Sequence, residues 1–423
     1  MKSILRQLKQ QIKAVPRKIW FLPLLLALCF LLLSLAIIAL RYSELVQQID
    51  EKLAFLALAS VDTARSIIST LTGGLISLVV FSFSMVMVVL NQASAQFSPR
   101  LLPGLISQRQ HQFILGFYLG AIIYNLTVLA RIGPSDLEQS VPIISVLLAI
   151  VFGIIGLILF ISFITTISNS VRIDTILHNL HASTQHKLQK DADNDVLTNQ
   201  ALPDDLEDWI PLNSASSGYL LQIETMELLA LCEKHELKVN VLPYAGMFVL
   251  RGQEVLRVSK PVEEDLADDL LGCLLIKVQE DLQSDRLHGL KQVVEIAVKA
   301  MSPGINDPAT AISGIDSLTS LLDTFLYNRP RNCAVDGNGG ALVWLTARPL
   351  QEILFSLFSP LRTYCAGDVV VTRKIIYSLR QLQAIKTLSS TERLLFRQEV
   401  QKIKKDFLER SFNEADQRLI NRL

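Results

Sequence analysis

Four long apolar runs occupy the first 170 residues: Trp20 to Leu40, about Ile67 to Leu90, Phe113 to Ala130, and Pro142 to about Ile167. Each approaches or exceeds the roughly 20 residues that a helix needs to cross a hydrocarbon core. Beyond Arg172 the apolar runs shorten and nearly all the charge appears. The pattern predicts a mainly α protein, with a four-helix transmembrane domain over 20–171 behind a basic segment at 1–19. A cytosolic α+β domain follows, a small β unit plus a helical bundle. Reading the first run as a signal peptide is disfavoured, because it is long and leucine-rich and no small-residue cleavage site closes it.

Polar positions inside the apolar runs refine this. Thr70, Ser77, Ser84, Asn91 and Ser98 recur every seven residues through the second run. On a helix this makes one polar stripe drifting by about 20° per heptad. Either the stripe bridges neighbouring helices, or copies of this helix surround a hydrated path with Arg100 at its mouth. Gly116 with Gly120, and Gly153 with Gly156, offer small faces for close helix packing. Asn125-Leu-Thr127 matches a glycosylation sequon but lies within the third helix. No acid or base sits near the middle of any run, which argues against an ion-coupled pump.

The polar half begins with a continuation of the fourth helix and a linker, together spanning 172–217. A small β-rich unit is expected at 218–260, and a mainly helical domain at 261–423. In the β unit, Tyr219 to Ile223 reads as a strand, Glu227 to His235 as a helix, Leu237 to Leu242 as a strand and Gly246 to Val258 as a hairpin. That hairpin resembles those of lipoyl-type barrels but lacks their acceptor lysine turn. From Val262 the pattern is helical, with Leu266, Leu270, Leu274, Val278 and Leu282 spaced by four. Ser389 and Glu392 form a capping box before the last long helix.

One string stands out: Ser302-Pro303-Gly304-Ile305-Asn306-Asp307-Pro308, then Thr310. Pro303 and Gly304 stop one helix, Asp307 is a natural N-cap and Pro308 fits the first position of the next helix. The favoured reading is a connector. The alternative gives Asn306, Asp307 and Thr310 a ligand or a subunit contact.

Charge settles orientation rather than chemistry. Forty basic and forty acidic residues cancel, so nothing favours nucleic acid. Lys2, Arg6, Lys9, Lys13, Arg17 and Lys18 precede the first run without an acid, and Arg100 and Arg109 fall in the second inter-helix loop. The segment at 41–65 mixes Arg41, Lys52 and Arg65 with Glu44, Asp50, Glu51 and Asp62, and the loop at 131–141 adds Asp136 and Glu138. The positive-inside rule then puts both termini in the cytoplasm of a multi-pass plasma (inner) membrane protein. Cys29, Cys232, Cys273, Cys333 and Cys365 are scattered, as expected of reduced thiols. His178, His181 and His186 lack partners at ligand spacing, so no metal or other cofactor is expected. The acids at 264–269 read as a solvated face.

Phe83-Ser84, Gln96-Phe97-Ser98-Pro99-Arg100, Gly218-Tyr219 and the Ser302–Pro308 string with Thr310-Ala311 resemble a family of predicted membrane proteins, domain of unknown function 2254. The resemblance covers nearly the whole chain and implies this topology and domain plan. One departure falls at Ile276–Asp285, where an Arg-Thr and Gln-Asp pairing of the family is missing; any polar site there would be altered. With no P-loop and no other catalytic signature, an enzyme is not expected. The expected partners are the lipid bilayer and further copies of the chain, with a small ion or solute unspecified. The function expected is a homo-oligomeric passive channel or pore with a cytosolic vestibule; the alternative is a membrane-anchored sensor or scaffold without transport.

Overall fold

A computed structural model describes residues 20–40, 61–96, 109–131, 143–170, 172–190, 197–278, 285–336, 339–410 and 413–423. Ser98, Arg100 and most of the charged flanks on which the expected orientation rests lie outside them. The chain divides into two units, Met1–Thr175 and Ile176–Leu423.

The first unit holds α1 (Phe21–Ala39), α2 (Val61–Gln96), α3 (Arg109–Leu129) and α4 (Ile143–Ser170). All four are long and apolar enough to cross a membrane. Their packing runs through the glycine pairs. A Cβ on Gly116 would lie 2.8 Å from Leu26 and from the backbone of Pro23, and one on Gly120 would lie 2.7 Å from the Phe30 ring. Gly153 and Gly156 receive Leu71 and Leu75 of α2 in the same way, at 2.7 and 2.8 Å. Phe30 meets Phe117 edge to face and Phe152 at a tilt, with centroids at 5.4 and 4.8 Å. Tyr118 and Tyr124 are fully buried and donate to the carbonyls of Gly156 and Ser145, both at 3.1 Å. Such bonds satisfy phenolic hydroxyls that lipid cannot.

The second unit starts with most of α5 (Ile173–Lys190) and contains two sheets. Its strands are β1 (Leu197–Thr198), β2 (Ile210–Asn213), β3 (Gly218–Ile223), β4 (Val239–Val241), β5 (Phe248–Val249), β6 (Glu254–Val258), β7 (Leu274–Lys277), β8 (Cys333–Val335) and β9 (Ala341–Leu345). The larger sheet has the order β1-β8-β9-β4-β6-β2, with β4 and β9 parallel; the smaller has the order β5-β3-β7. Leu220, Val241, Val249, Leu256, Leu274 and Val343 of both sheets share one core with α6 (Thr225–His235) and α7 (Glu264–Gly272).

Several elements differ from the sequence expectation. The segment 246–258 is not a hairpin. Gly252, at φ +81°, donates its N–H to Ser214, whose own N–H returns to Gln253; β5 then joins β3, while β6 pairs with β2 and β4. The turn is tied to the chain ahead of β3, and that tie parts the two strands into different sheets. The helix expected to run on from Val262 ends at Gly272, and Leu274–Lys277 pairs with β3. The expected linker also carries order: α5 reaches Lys190, and β1 and β2 lie within 197–213.

A helical layer completes the unit: α8 (His288–Ala300), α9 (Pro308–Tyr327), α10 (Leu350–Cys365), α11 (Val369–Gln383), α12 (Ser390–Arg410) and α13 (Glu414–Arg422). Gly314 brings α9 against Ala297 of α8. Arg362 of α10 reaches both Glu399, at 3.2 Å, and Asp406, at 2.7 Å, on α12; Glu399 is 3% exposed. The capping box forms, with Glu392 accepting from the Ser389 backbone and also bonding Arg329. All five cysteines are free, and burial pushes Cys232 and Cys365 up to about 12.

Candidate functional site

The polar stripe lies on the outside of the four-helix bundle. Thr70, Ser77, Ser84 and Asn91 are all exposed, whereas the hydroxyls of Thr72 and Ser82 on the same helix are buried. Ser77 and Ser84 donate to the carbonyls of Gly73 and Val80, each at 2.9 Å. These bonds occupy the hydroxyl protons and leave oxygen lone pairs facing outward. Gly73 and Gly74 have nothing within 4 Å of a built Cβ, unlike the glycines of α3 and α4. The N-terminal half of α2 therefore presents small and polar groups: Ser66, Ser69, Thr70, Gly73, Gly74 and Ser77, all exposed. Ile76 and Phe83 are exposed as well, roughly 80–100° round the helix from Ser84 at 100° per residue.

Sequence reasoning passed over the polar groups inside the bundle. Asn125 is fully buried, and neither its amide oxygen nor its nitrogen has a partner; the Ser82 and Ser145 hydroxyls share that condition. The sequon match was the one signal at Asn125, and it pointed elsewhere. Gln110 at the start of α3 donates to Thr166 of α4 at 3.0 Å.

The second group of candidates belongs to the other unit. Asp307 caps α9 as its position predicts, accepting from the Thr310 N–H at 3.1 Å and from its hydroxyl at 2.5 Å. Those two donors hold the Asp307 carboxyl below the usual carboxylate range. Asn306 sits at φ +47°, in the left-handed region that asparagine tolerates, and is exposed. Of the three histidines near 180, His181 meets the Ser317 hydroxyl at 3.0 Å, while His178 and His186 are exposed.

Four membrane-length helices joined to a polar α+β unit define a multi-pass membrane protein. The chain belongs to the family described as "Predicted membrane protein (DUF2254)", whose model matches residues 16–381. It is similar to an uncharacterised protein of Mycobacterium tuberculosis, Rv1290c, and to one of Mycobacterium bovis, Mb1321c. Each is 25% identical over 328 residues, which cover 75% of this chain. The chain spans 63% of the length of these curated relatives. No solved structure matches it.

Proposed function

We propose that this is a non-catalytic, homo-oligomeric passive channel or pore, in which copies of α2 surround the path. In this reading it resides in the plasma (inner) membrane with both termini and the second unit in the cytoplasm, and that unit forms a vestibule. The supporting observation is the outward exposure of Thr70, Ser77, Ser84 and Asn91. A stripe used to bridge helices of one subunit would be buried, as Thr72 and Ser82 are. A stripe left against hydrocarbon would leave the Asn91 amide without a partner, which is costly. Water in a shared path supplies those partners. The open surface at Gly73 and Gly74 gives a second copy room to approach. With hydroxyl protons turned back to the helix, the path offers acceptor oxygens, which suits cations better than anions.

The test is thiol accessibility in Cys29→Ser protein carrying one cysteine at 77, 84 or 91, or at the edge positions 76 and 83. A water-soluble thiol reagent is expected to modify the first three rapidly and the last two slowly. Equal, slow reaction at all five would remove the hydrated path and favour the sensor or scaffold reading.

A further inference from the structure

The unsatisfied polar groups inside the four-helix bundle fall in two layers, one near each end. Among the described residues of that bundle, buried side-chain atoms without a hydrogen-bond partner belong to Ser82, His111, Asn125 and Ser145. Contacts along the helices order them. As α2 advances through Leu71, Leu75 and Phe81, it meets Gly153, Gly156 and Phe160 of α4, so the two run parallel. As α3 advances through His111, Tyr118 and Tyr124, it meets Phe163, Gly156 and Ser145, so it runs antiparallel to both. Asn125 follows Tyr124 and therefore lies at the same end as Ser145. Ser82 follows Phe81, and Phe160 is about one turn of α4 from Phe163, so Ser82 and His111 share the other end. Positions 111 and 125 of α3 lie about 21 Å apart along its axis.

Each layer sits close to a helix end. Ser145 is in the first turn of α4, Asn125 in the last turns of α3, and His111 in the first turn of α3. Beside His111, Gln110 bonds Thr166, so that end is polar at its rim. Between the layers the interior is apolar or satisfied. Leu75, Phe117, Tyr118 and Ala121 belong to one buried cluster, the Tyr118 hydroxyl donates to Gly156, and Thr72 donates to the Ile68 carbonyl at 2.7 Å. The unmet capacity is two-sided: the Asn125 amide donates and accepts, and so do the Ser82 and Ser145 hydroxyls. Leaving such groups dry in a membrane interior is costly. None of the four residues is an acid, a lysine or an arginine, so the matching occupant is a neutral molecule that both donates and accepts. Close packing keeps it small, since Asn125 is fully buried and Ser145 is 1% exposed. Water meets both conditions, a buried molecule typically making about three such bonds.

We propose that the four-helix bundle binds water in two interior pockets, at Asn125 with Ser145 and at Ser82 with His111, and that the layer of Leu75, Phe117, Tyr118 and Ala121 keeps the two from joining. The bundle interior is then an hourglass, wet near both ends and closed in the middle. The inference uses no residue of the exterior stripe and holds whether or not copies of α2 surround a path.

The test uses the full chain in lipid nanodiscs, where both membrane faces meet the solution, in a Cys29→Ser background. Ser82→Cys, Ser145→Cys and Ala121→Cys are made singly, the last at a fully buried position between the layers. A small water-soluble methanethiosulfonate is expected to modify positions 82 and 145 several-fold faster than position 121. Equal, slow reaction at all three would overturn the proposal in favour of a dry interior. Equal, fast reaction at all three would overturn it in favour of one continuous path. A second measurement needs no substitution at these sites, should a variant not fold. In solid-state NMR of the wild-type protein, magnetisation from water is expected to reach the Asn125 carboxamide protons several-fold faster than the Ala121 methyl group. Transfer to Asn125 no faster than to Ala121 would overturn the proposal as well.

Discussion

Asp307 illustrates how much of a distinctive string follows from local chemistry. The carboxylate accepts from both donors of Thr310, Pro308 takes the first helical position, and the cap is complete without any ligand. Asp307→Ala is expected to cost about 1 kcal/mol, the usual worth of such a cap, and Asp307→Asn much less. Their pH dependence should differ. The folded carboxyl titrates below its ordinary value, so as pH falls the unfolded chain takes up the proton first. The contribution of Asp307 is whole above the ordinary carboxylate range and fades as pH falls through the depressed folded value. Asp307→Asn, which has no proton to take up, should lack that component in thermal melts between neutral and acid pH. The sequence made this cap legible because N-capping is local; the side chains around Asn125 were not, since only the packing of α3 buries it.

Among the helices, glycine has two opposite uses. Gly116, Gly120, Gly153 and Gly156 are filled by side chains of α1 and α2, while Gly73 and Gly74 face open space. Gly116→Leu must displace the Pro23 backbone and is expected to lower the melting temperature of the detergent-solubilised protein clearly, by overpacking. Gly74→Leu should leave that temperature nearly unchanged and instead weaken self-association, read as a shift in mass by light scattering. Unchanged mass in the second variant would remove α2 from the proposed interface between copies. Long apolar periods made all four membrane helices readable to within a few residues at most ends, α2 excepted, which extends about six residues past its apolar run on each side. Shorter elements were less so. Leu274-Leu275-Ile276 continues the four-residue leucine spacing of α7 yet forms β7, because a short apolar run fits strand and helix equally and β3 supplies the pairing partner. The supposed hairpin at 246–258 failed for a similar reason: the tie between Ser214 and Gly252–Gln253 joins residues distant in sequence.

At the scale of the molecule, a bundle with one polar stripe on its exterior is joined through α5 to a unit with its own core. The heptad spacing made the stripe visible in the sequence; its outward direction became visible only with the packing of α1, α3 and α4, since a period of seven gives a face and not its neighbours. That direction is what the proposed path rests on. The most direct measurement is ion flux through purified protein in liposomes, comparing wild type with Ser84→Phe and Asn91→Leu at equal reconstitution and verified folding. Cation flux in the wild type that falls in both variants is the result expected of a path along α2. Absence of flux across several ions and both membrane polarities, or flux indifferent to both substitutions, would contradict it.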